Sequence, residues 1–541
     1  MLARQQLLLV LDNCEHVLGA AAGLCAELTA ACDDLRILAT SREPLRVAGE
    51  AGYRLGPLAV PDLDDLAEAA TSEAVVLFAD RARRADAHFT LDGGTGPAVA
   101  RLVVRLDGMP LAIELAAART EALGVGQLLE RLEDRFALLA GGDRRAPPRQ
   151  RSLAAAVEWS YQLLEENERR VFRAVSVFPG PFTLEGAEAV AGADAGLAVL
   201  HLVDCSLLVP PRAGPDGRPR YVMLETLRAY GAKLRAEAGE QDTADAALAA
   251  YALQVAEEAA AGLLSSDGEA AAARWLDAED PTIRLALAWA VAHDEVTAVR
   301  LADALGWWWW LRGRLPGQYR LLGQVAGLAE PGSDGWCAIQ CWLGWAASVA
   351  ADLAGSLGHF TAVRDAVQDR GPSRALADAL AGRSSRLLNM GRLAEGAEDA
   401  RRSLAMARDL GYPAGQGAAL RMLGIAAFYS GDDDAAVQVS RQLQLVAEVP
   451  GVIGRWGGTV IIGALMRAGD LAAAESACAQ FLAQNRDTGD VLNLSFLLVL
   501  MADLDVQAGR FQDAAAHLRE GLQIAVRADD VWDVGNHLHM C

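Results

Sequence analysis

Glycine-containing turns recur at a nearly constant interval in the C-terminal part of the chain. They begin at Gly391, Gly431, Gly469 and Gly509, with spacings of 40, 38 and 40 residues. Five residues after each of the last three glycines stands an alanine, where closely packed helices need a small side chain: Ala436, Ala474 and Ala514. A period of this length predicts stacked helical hairpins, slightly longer than the roughly 34-residue tetratricopeptide unit. We therefore expect an α-solenoid over 331–541, after a helical linker domain over 241–330.

The composition fits a mostly helical, multidomain protein. A chain of 541 residues exceeds the size of one core, and its excess of alanine over aromatic residues (6%) favours helix. The net charge of −22 opposes non-specific attraction to nucleic acid or anionic membrane. The eight cysteines form no C-x-x-C pair, so we expect buried thiols in a reducing compartment and no zinc site.

Two apolar stretches raise the question of export or membrane insertion. Leu7–Leu11 is too short for a signal peptide and ends in Asp12. The stretch 337–358 is long enough for a membrane helix, but Asp352 and many small residues favour a buried repeat helix. We expect a cytoplasmic, soluble protein with no membrane partner.

The N-terminal segment has β-α-β order. Three strands are predicted over 7–11, 36–40 and 53–58, with a helix over 15–32 between the first two. The first is a continuous apolar run, typical of a buried parallel strand, and it ends in Asp12 as a Walker B strand does. These features predict a partial parallel α/β nucleotide-binding domain over 1–60.

A Walker B strand normally follows a phosphate-binding loop, and that loop needs a lysine after a glycine-rich turn. The only lysine of the chain is Lys233. We therefore expect the second half of a nucleotide site without the first. Because the chain also stops at Cys541 inside what resembles another repeat, both ends are expected to be cut.

The middle of the chain is predicted to form two further, mainly helical domains. A helical domain is predicted over 61–143, with helices over 72–85, 98–107 and 111–120 and a break at Gly108-Met109-Pro110. A basic, proline-containing joint over 144–151 follows. Helices over 152–164, 166–175 and 184–191 then precede a hairpin, so 144–240 has a winged-helix outline.

Three positions carry candidate nucleotide chemistry. Asp12 ends a strand where open α/β sheets bind ligands and could hold Mg²⁺, or it caps the next helix. Arg42 ends the next strand and could grip a terminal phosphate, or it pairs with Glu43. Pro110 makes a rigid turn that could pack on adenine, or it only punctuates a helix.

The order of the sequence blocks resembles a known family. LLLVLDNCEHVL, RILATSREPLRVAGE, SEAVVLFADRARR, RLDGMPLAIELAAARTEAL and YVMLETLRAYGAKL are similar to blocks of signal-transduction ATPases with numerous domains (the STAND class, related to NB-ARC proteins). The branch is that of large bacterial transcriptional regulators with tetratricopeptide repeats. The resemblance covers roughly residues 5–320 and then loosens into generic repeats.

This resemblance implies roles for individual residues and a cofactor. Asp12 would be the Walker B magnesium residue, Arg42 the sensor arginine, and Pro110 the proline beside adenine, with ATP or ADP and Mg²⁺ as cofactors. Glu15, next to His16, is either a catalytic candidate or a polar residue at a helix start. The family's Met-His-Asp element corresponds to Met223-Leu224-Glu225, and its leucine implies no phosphate contact.

The resulting prediction is a fragment of an ATP/ADP-dependent regulatory switch, without effective ATP hydrolysis by this chain. Its repeats would sense a protein or small molecule, and DNA would be bound only by an output domain outside the chain. A nucleotide-dependent oligomer is also possible.

The sequence is also compatible with two other function classes. The chain could be a non-catalytic helical-repeat scaffold with a degenerate ATPase remnant. It could also repress through DNA binding by the winged helix, but its only arginine cluster is Arg169, Arg170 and Arg173, and an internal lid is favoured. Trp307–Trp310 could form a ligand-binding patch, although a buried helix junction is favoured.

Overall fold

The protein is mostly helical and divides into two compact units. The computed structural model describes residues 6–32, 34–41, 43–53, 55–63, 69–130, 153–265, 268–446 and 452–540. The first unit comprises Met1–Gly214 with Arg218–Ala247, and the second comprises Pro215–Gly217 with Leu248–Cys541.

The first unit opens with a parallel strand pair. β1 (Leu7–Leu11) pairs in parallel with β2 (Leu35–Ala39), and α1 (Leu18–Ala31) connects them. The predicted β-α-β order is therefore confirmed.

Two finer expectations for this sheet are wrong. Leu8, Val10 and Leu38 are 60, 56 and 55% exposed, because the sheet that the structure describes is only two strands wide. The third strand is not formed either, since residues 53 and 55–58 lack strand structure. The Leu58 amide instead donates to the Gly108 carbonyl at 3.0 Å, so this segment pairs with a helix turn.

Four helices follow the sheet in the first unit. They are α2 (Glu73–Ala85), α3 (Gly96–Arg105), α4 (Pro110–Ala117) and α5 (Thr120–Glu130). Ser72 caps α2 through the Val75 amide, and the predicted apolar face of α2 is buried at Ala74, Phe78 and Ala82. Pro110 stands in the first turn of α4, where its missing N–H costs nothing.

The rest of the first unit combines helices with a hairpin. Its elements are α6 (Leu153–Gln162), α7 (Glu166–Val175), α8 (Leu184–Ala191), α9 (Ala195–Asp204), the antiparallel strands β3 (Val209–Ala213) and β4 (Pro219–Val222), and α10 (Glu225–Glu237). Helix α9 was not predicted. The basic joint over 144–151 lies outside the described residues.

The second unit is built of helices. The chain crosses into it within α11 (Gln241–Leu263). The helices that follow are α12 (Glu269–His293), α13 (Glu295–Leu311), α14 (Tyr319–Leu328), α15 (Asp334–Val349), α16 (Leu353–Val367), α17 (Arg374–Asn389), α18 (Leu393–Asp409), α19 (Pro413–Ser430), α20 (Asp433–Val446), α21 (Val452–Arg467), α22 (Leu471–Thr488), α23 (Val491–Gln507), α24 (Phe511–Arg527) and α25 (Val531–Met540).

The predicted repeat punctuation is confirmed. The turn glycines Gly391, Gly431, Gly469 and Gly509 all have positive φ, from 72° to 77°, a backbone conformation that glycine adopts without steric cost. The alanines five residues beyond three of them are at most 3% exposed (Ala436, Ala474 and Ala514). The helical hairpins therefore follow the period of the sequence.

The apolar stretch 337–358 is divided between α15 and α16 by a break at residues 350–352. Among the described residues, no single helix is long and apolar enough to span a membrane. The bent pair α8 and α9 passes that test of length and composition only when its two helices are taken together.

The helices of the second unit curve until the two ends of the unit meet. α25 contacts α15, and α23 contacts α13. The Arg312 guanidinium, after α13, donates to the Thr488 carbonyl at 2.7 Å. Buried Arg455 on α21 pairs with Glu269 at the start of α12. The second unit is therefore a superhelix that closes on itself.

Close helix packing makes Gly382 on α17 sensitive to substitution, because an added Cβ would collide with the Phe360 ring. We expect Gly382→Ala to lower the free energy of unfolding by about 1–3 kcal/mol, the usual cost of overpacking. The matched control is Gly358→Ala on α16, where nothing lies within 4 Å of the added carbon. It should be neutral or stabilise by up to about 1 kcal/mol. Urea unfolding measures both, and equal effects would contradict this packing.

Candidate functional site

The carboxyl ends of β1 and β2 meet at one edge of the sheet, and polar groups join them there. The Thr40 hydroxyl donates to Asp12 Oδ1, and the Asn13 amide donates to Thr40 Oγ1 at 3.0 Å. The Cys14 amide donates to the Thr40 carbonyl at 2.9 Å. Asp12 and Thr40 are both exposed, so a carboxylate held by neighbouring polar groups faces solvent. Thr40 was not among the predicted site residues, although its place at the end of the predicted second strand was a signal.

Two other predicted residues belong to the same edge by sequence. Glu15 lies half-buried in the short 3-10 turn Cys14–His16, directly after Asn13, whose φ is 59°. Arg42, the predicted sensor arginine, lies outside the described residues. A catalytic role for Glu15 and a phosphate contact by Arg42 stay predictions.

The turn before Pro110 packs against other parts of the first unit. Gly108 has a φ of +64°, and a Cβ there would collide with the Leu58 carbonyl oxygen. Pro110 itself is exposed at the start of α4. The described hydrogen bonds of this turn run to Leu58 and Thr226, and none of them reaches Asp12.

Asp107 connects this turn to the start of α10. Its carboxylate accepts the Thr226 amide at 2.9 Å, so it caps a helix that begins 118 residues later in the sequence. Burial raises the pKa of Asp107, while the backbone amides of Thr226 and Glu225 act in the opposite direction. The φ of Asp107 is 55°, a left-handed conformation that aspartate and asparagine tolerate better than most residues. Asp107 therefore fastens the α3–α4 turn to the element after the hairpin.

The first unit supplies part of the chemistry that a magnesium nucleotide needs. Asp12 offers carboxylate oxygens of the kind that Mg²⁺ prefers. The only lysine, Lys233, stands on α10 and lies 3.7 Å from Glu237. It therefore does not belong to a glycine-rich phosphate loop. The described residues of this edge fit a magnesium contact but do not form a complete phosphate-binding site.

The arginine cluster on α7 is engaged within the first unit. Arg173 forms two hydrogen bonds of 2.8 Å with the Glu240 carboxylate, and Arg170 contacts Asp194 at 3.0 Å. Arg169 donates to the Gln162 carbonyl at 2.7 Å. Guanidinium groups committed in this way are poorly placed to contact DNA phosphates.

The second unit encloses a cavity of about 270 Å³ inside its superhelix. Residues from α13, α15, α17, α19, α21, α23 and α25, alternate helices of the series, line it. Its aromatic lining includes Trp310, Trp345, Tyr429 and Trp532. Trp310 is the last residue of the tryptophan run. Within the run Trp307–Trp310, three residues (Trp308, Trp309 and Trp310) are at most 6% exposed, as expected of a buried helix junction.

Arg386 is the buried cation of this cavity. It is 5% exposed, and its guanidinium donates to the hydroxyls of Ser348 and Ser385 and lies 6.0 Å from the centre of the Trp345 ring. Its Nε–H has no acceptor among the described residues. Burial lowers the pKa of Arg386 to about 10, so the group still carries its charge at neutral pH.

A second arginine and an acid pair also line the cavity. Burial and the nearby Arg386 charge lower the pKa of Arg421 to about 10. Asp530 and Asp533 also line the cavity, and burial together with the Asp530 charge raises the pKa of Asp533. This acid pair therefore carries less than its full negative charge near neutral pH, and the cavity keeps a cationic side.

The chain is similar to mycobacterial transcriptional regulators over part of its length, while no family model matches it. "Putative HTH-type transcriptional regulator Rv0890c" of Mycobacterium tuberculosis (strain ATCC 25618 / H37Rv) is 39% identical over 327 residues, which are 58% of this chain and 35% of that protein. "Uncharacterized protein Mb0918" of Mycobacterium bovis is 40% identical over 253 residues, which are 46% of this chain and 61% of that protein. The chain thus spans about a third of the length of the regulator relative.

Solved structures show weaker similarity. The STAND protein with a tetratricopeptide repeat sensor, PH0952 from Pyrococcus horikoshii, aligns with 98% of this chain and 80% of its own, with 13% identity and a TM-score of 0.42. The Cut9–Hcn1 hetero-tetramer of the APC/C aligns with 88% of this chain and 98% of its own, with 12% identity and a TM-score of 0.23.

The Asp107 cap gives a direct prediction for α10. Asp107→Gly keeps the left-handed backbone but removes the acceptor, and we expect a loss of about 1 kcal/mol of local stability. Hydrogen exchange at the Thr226 amide should then be roughly fivefold faster. Asp107→Asn, which keeps an acceptor oxygen, should exchange at nearly the wild-type rate. Mass spectrometry of the peptide containing Thr226 distinguishes the two, and equal exchange in both variants would contradict the cap.

Proposed function

We propose that this chain is the switch-and-sensor part of a bacterial transcriptional regulator, and that the cavity of its second unit binds a small organic anion as the signal. The observation that carries the proposal is buried Arg386, whose described hydrogen-bond partners are neutral hydroxyls. The similarity to a putative transcriptional regulator of Mycobacterium tuberculosis supports the assignment to this class of protein.

The chemistry of the cavity supports the choice of an anion. A buried charge is costly unless it is paired, and Arg386 keeps an Nε–H without an acceptor among the residues that the structure describes. A carboxylate or phosphate group can accept two parallel hydrogen bonds from a guanidinium. Because Arg421 stands nearby, its charge adds to the attraction.

The size and walls of the cavity suit a small, partly apolar ligand. About 270 Å³ is just below the roughly 300–1,000 Å³ typical of small-molecule sites. Trp310, Trp345 and Tyr429 supply flat apolar surface for a ring or short chain. The ligand is thus a metabolite-sized anion with an apolar body.

The first unit takes the role of the nucleotide switch. In a complete site, Asp12 would hold Mg²⁺, Arg42 would contact the terminal phosphate and Pro110 would pack beside adenine. The difference in charge between bound ATP and bound ADP would distinguish two states of the switch. Binding of the signal in the repeats would shift the equilibrium between the ATP-bound and the ADP-bound state. DNA would be contacted by an output domain other than the two units described, which agrees with the engaged arginines on α7.

A non-catalytic scaffold is the second candidate. The position of Lys233 favours this candidate. The only lysine of the chain lies on α10 beside Glu237 and therefore not in a phosphate-binding loop. In that case the repeats alone carry the activity, and substitution of Asp12 has no effect on it.

Anion binding in the cavity can be tested with benzoate and its neutral isostere benzamide. We expect benzoate to quench tryptophan fluorescence and to bind at least tenfold more tightly than benzamide, because a hydrogen bond to a charged group contributes about 1.5–3 kcal/mol. Arg386→Met should abolish this preference while the fold is kept, since an apolar replacement of a buried charge is usually tolerated.

The control for this experiment is Arg401→Met on α18, where an exposed arginine pairs with Glu398. This variant should bind benzoate as the wild type does. Equal binding of benzoate and benzamide, or an unchanged preference in a folded Arg386→Met protein, would overturn the anion site.

Nucleotide binding by the chain itself is expected to be weak or absent. Isothermal titration calorimetry of the purified 541-residue protein with MgATP and MgADP should give no binding in the micromolar range, because no lysine-bearing phosphate loop is present. Asp12→Ala is the control and should give the same null titration. Micromolar binding that Asp12→Ala removes would contradict the expectation and show a functional site.

A further inference from the structure

Three possible metal ligands of different chemistry meet in the first unit. They are Glu43, in the segment after β2, His201, on α9, and Cys205, the residue directly after α9. One ligand atom of each lies within 4.8 Å of the others. All three residues are half-buried, so an ion could reach them from solvent.

The local sequence explains part of this arrangement. Cys205 is the C-cap residue of α9 and follows His201 by four residues, so both side chains project from the same side of the helix end. Glu43 is 158 residues away from His201 in the sequence, and only the fold brings the two together. The sequence, which has no C-x-x-C pair, therefore predicted no zinc site.

A fourth residue orients the imidazole. Glu168 on α7 has its Oε1 2.6 Å from Nδ1 of His201, which fixes Nδ1–H as the donor of the neutral ring. The other nitrogen, Nε2, then presents its lone pair on the side of Glu43, while Cys205 Sγ lies beside the ring, 3.7 Å from Nε2 and 3.9 Å from Nδ1. A carboxylate bonded to the far nitrogen of a histidine is the usual support of a metal-bound imidazole.

The distances between the ligand atoms suit a tetrahedral ion. His201 Nε2 lies 3.4 Å from Glu43 Oε2 and 3.7 Å from Cys205 Sγ. Zinc bonds of about 2.0–2.1 Å to nitrogen or oxygen and about 2.3 Å to sulfur give tetrahedral edges of about 3.4 and 3.6 Å. One ion can bind all three atoms once the Cys205 side chain turns towards Nε2, because Sγ lies almost equally far from Nδ1.

The charge around the thiol also favours a cation. The carboxylates of Glu43, Glu168 and Asp204 surround the thiol of Cys205. A divalent ion would offset these negative charges, and a coordinated thiol releases its proton to solvent as the metal–sulfur bond forms. The nitrogen and sulfur ligands select zinc over magnesium or calcium.

We propose that Glu43, His201 and Cys205 bind one Zn²⁺ ion, with Glu168 as the positioning residue for His201 and water in the fourth position. The ion fastens the segment that follows position 42 to α9. The site is separate from the anion cavity and from nucleotide binding, so it does not depend on the function proposed above.

Zinc content tests the proposal directly. The intact protein is stripped with a chelator, loaded with Zn²⁺, desalted and measured by inductively coupled plasma mass spectrometry. We expect one zinc per chain in the wild type and none in His201→Gln or Cys205→Ser. Glu168→Gln should weaken binding about 10–100-fold, as loss of such a supporting carboxylate usually does. The control His293→Gln replaces an exposed histidine on α12 and should retain one zinc.

Cobalt loading adds a readout that reports the sulfur ligand itself. Wild-type protein loaded with Co²⁺ should show a thiolate-to-cobalt charge-transfer band, and Cys205→Ser should lack it although circular dichroism shows an intact fold. A wild type without zinc, zinc retained by both ligand variants, or a charge-transfer band that persists in Cys205→Ser would each overturn the site.

Discussion

A buried ion cluster around Arg455 holds the superhelix of the second unit closed. Arg455 contacts Glu269 and lies 3.0 Å from Asp490, and the exposed fractions of the three residues are 8, 3 and 0%. Removing one partner of such a cluster leaves an uncompensated buried charge, which typically costs about 3–5 kcal/mol. The cavity of the second unit depends on this closure, because its lining comes from helices between α13 and α25 that are adjacent only when the superhelix has curved back.

The first unit is held by polar contacts between segments that are far apart in sequence. Thr40 joins the ends of the two strands through Asp12, Asp107 caps α10, and Glu43 meets α9 at His201. Such contacts are well suited to a regulatory switch, because each can be formed or broken by a local change in charge or ligand.

Local patterns predicted the elements, and long-range contacts caused the errors. The turn glycines and the place of Pro110 in the first turn of α4 depend on neighbouring residues, and both are confirmed. The parallel pairing of β1 with β2, which the β-α-β order predicted, is also confirmed. The expected third strand failed because the Leu58 amide bonds to the turn after α3. The sequence also did not predict helix α9 or the exposure of β1, because the surroundings of both elements come from distant parts of the chain.

The sequence by itself determined the helical hairpins, the parallel strand pair and the candidate residue Asp12, because helix period, turn conformation and strand order are properties of short segments. Tertiary structure alone decided which polar groups meet: Arg386 with the aromatic walls of a cavity, and Glu43 with His201 and Cys205. The physical reason is that burial and charge pairing depend on distances between residues far apart in the chain, and these distances exist only after the helices have packed.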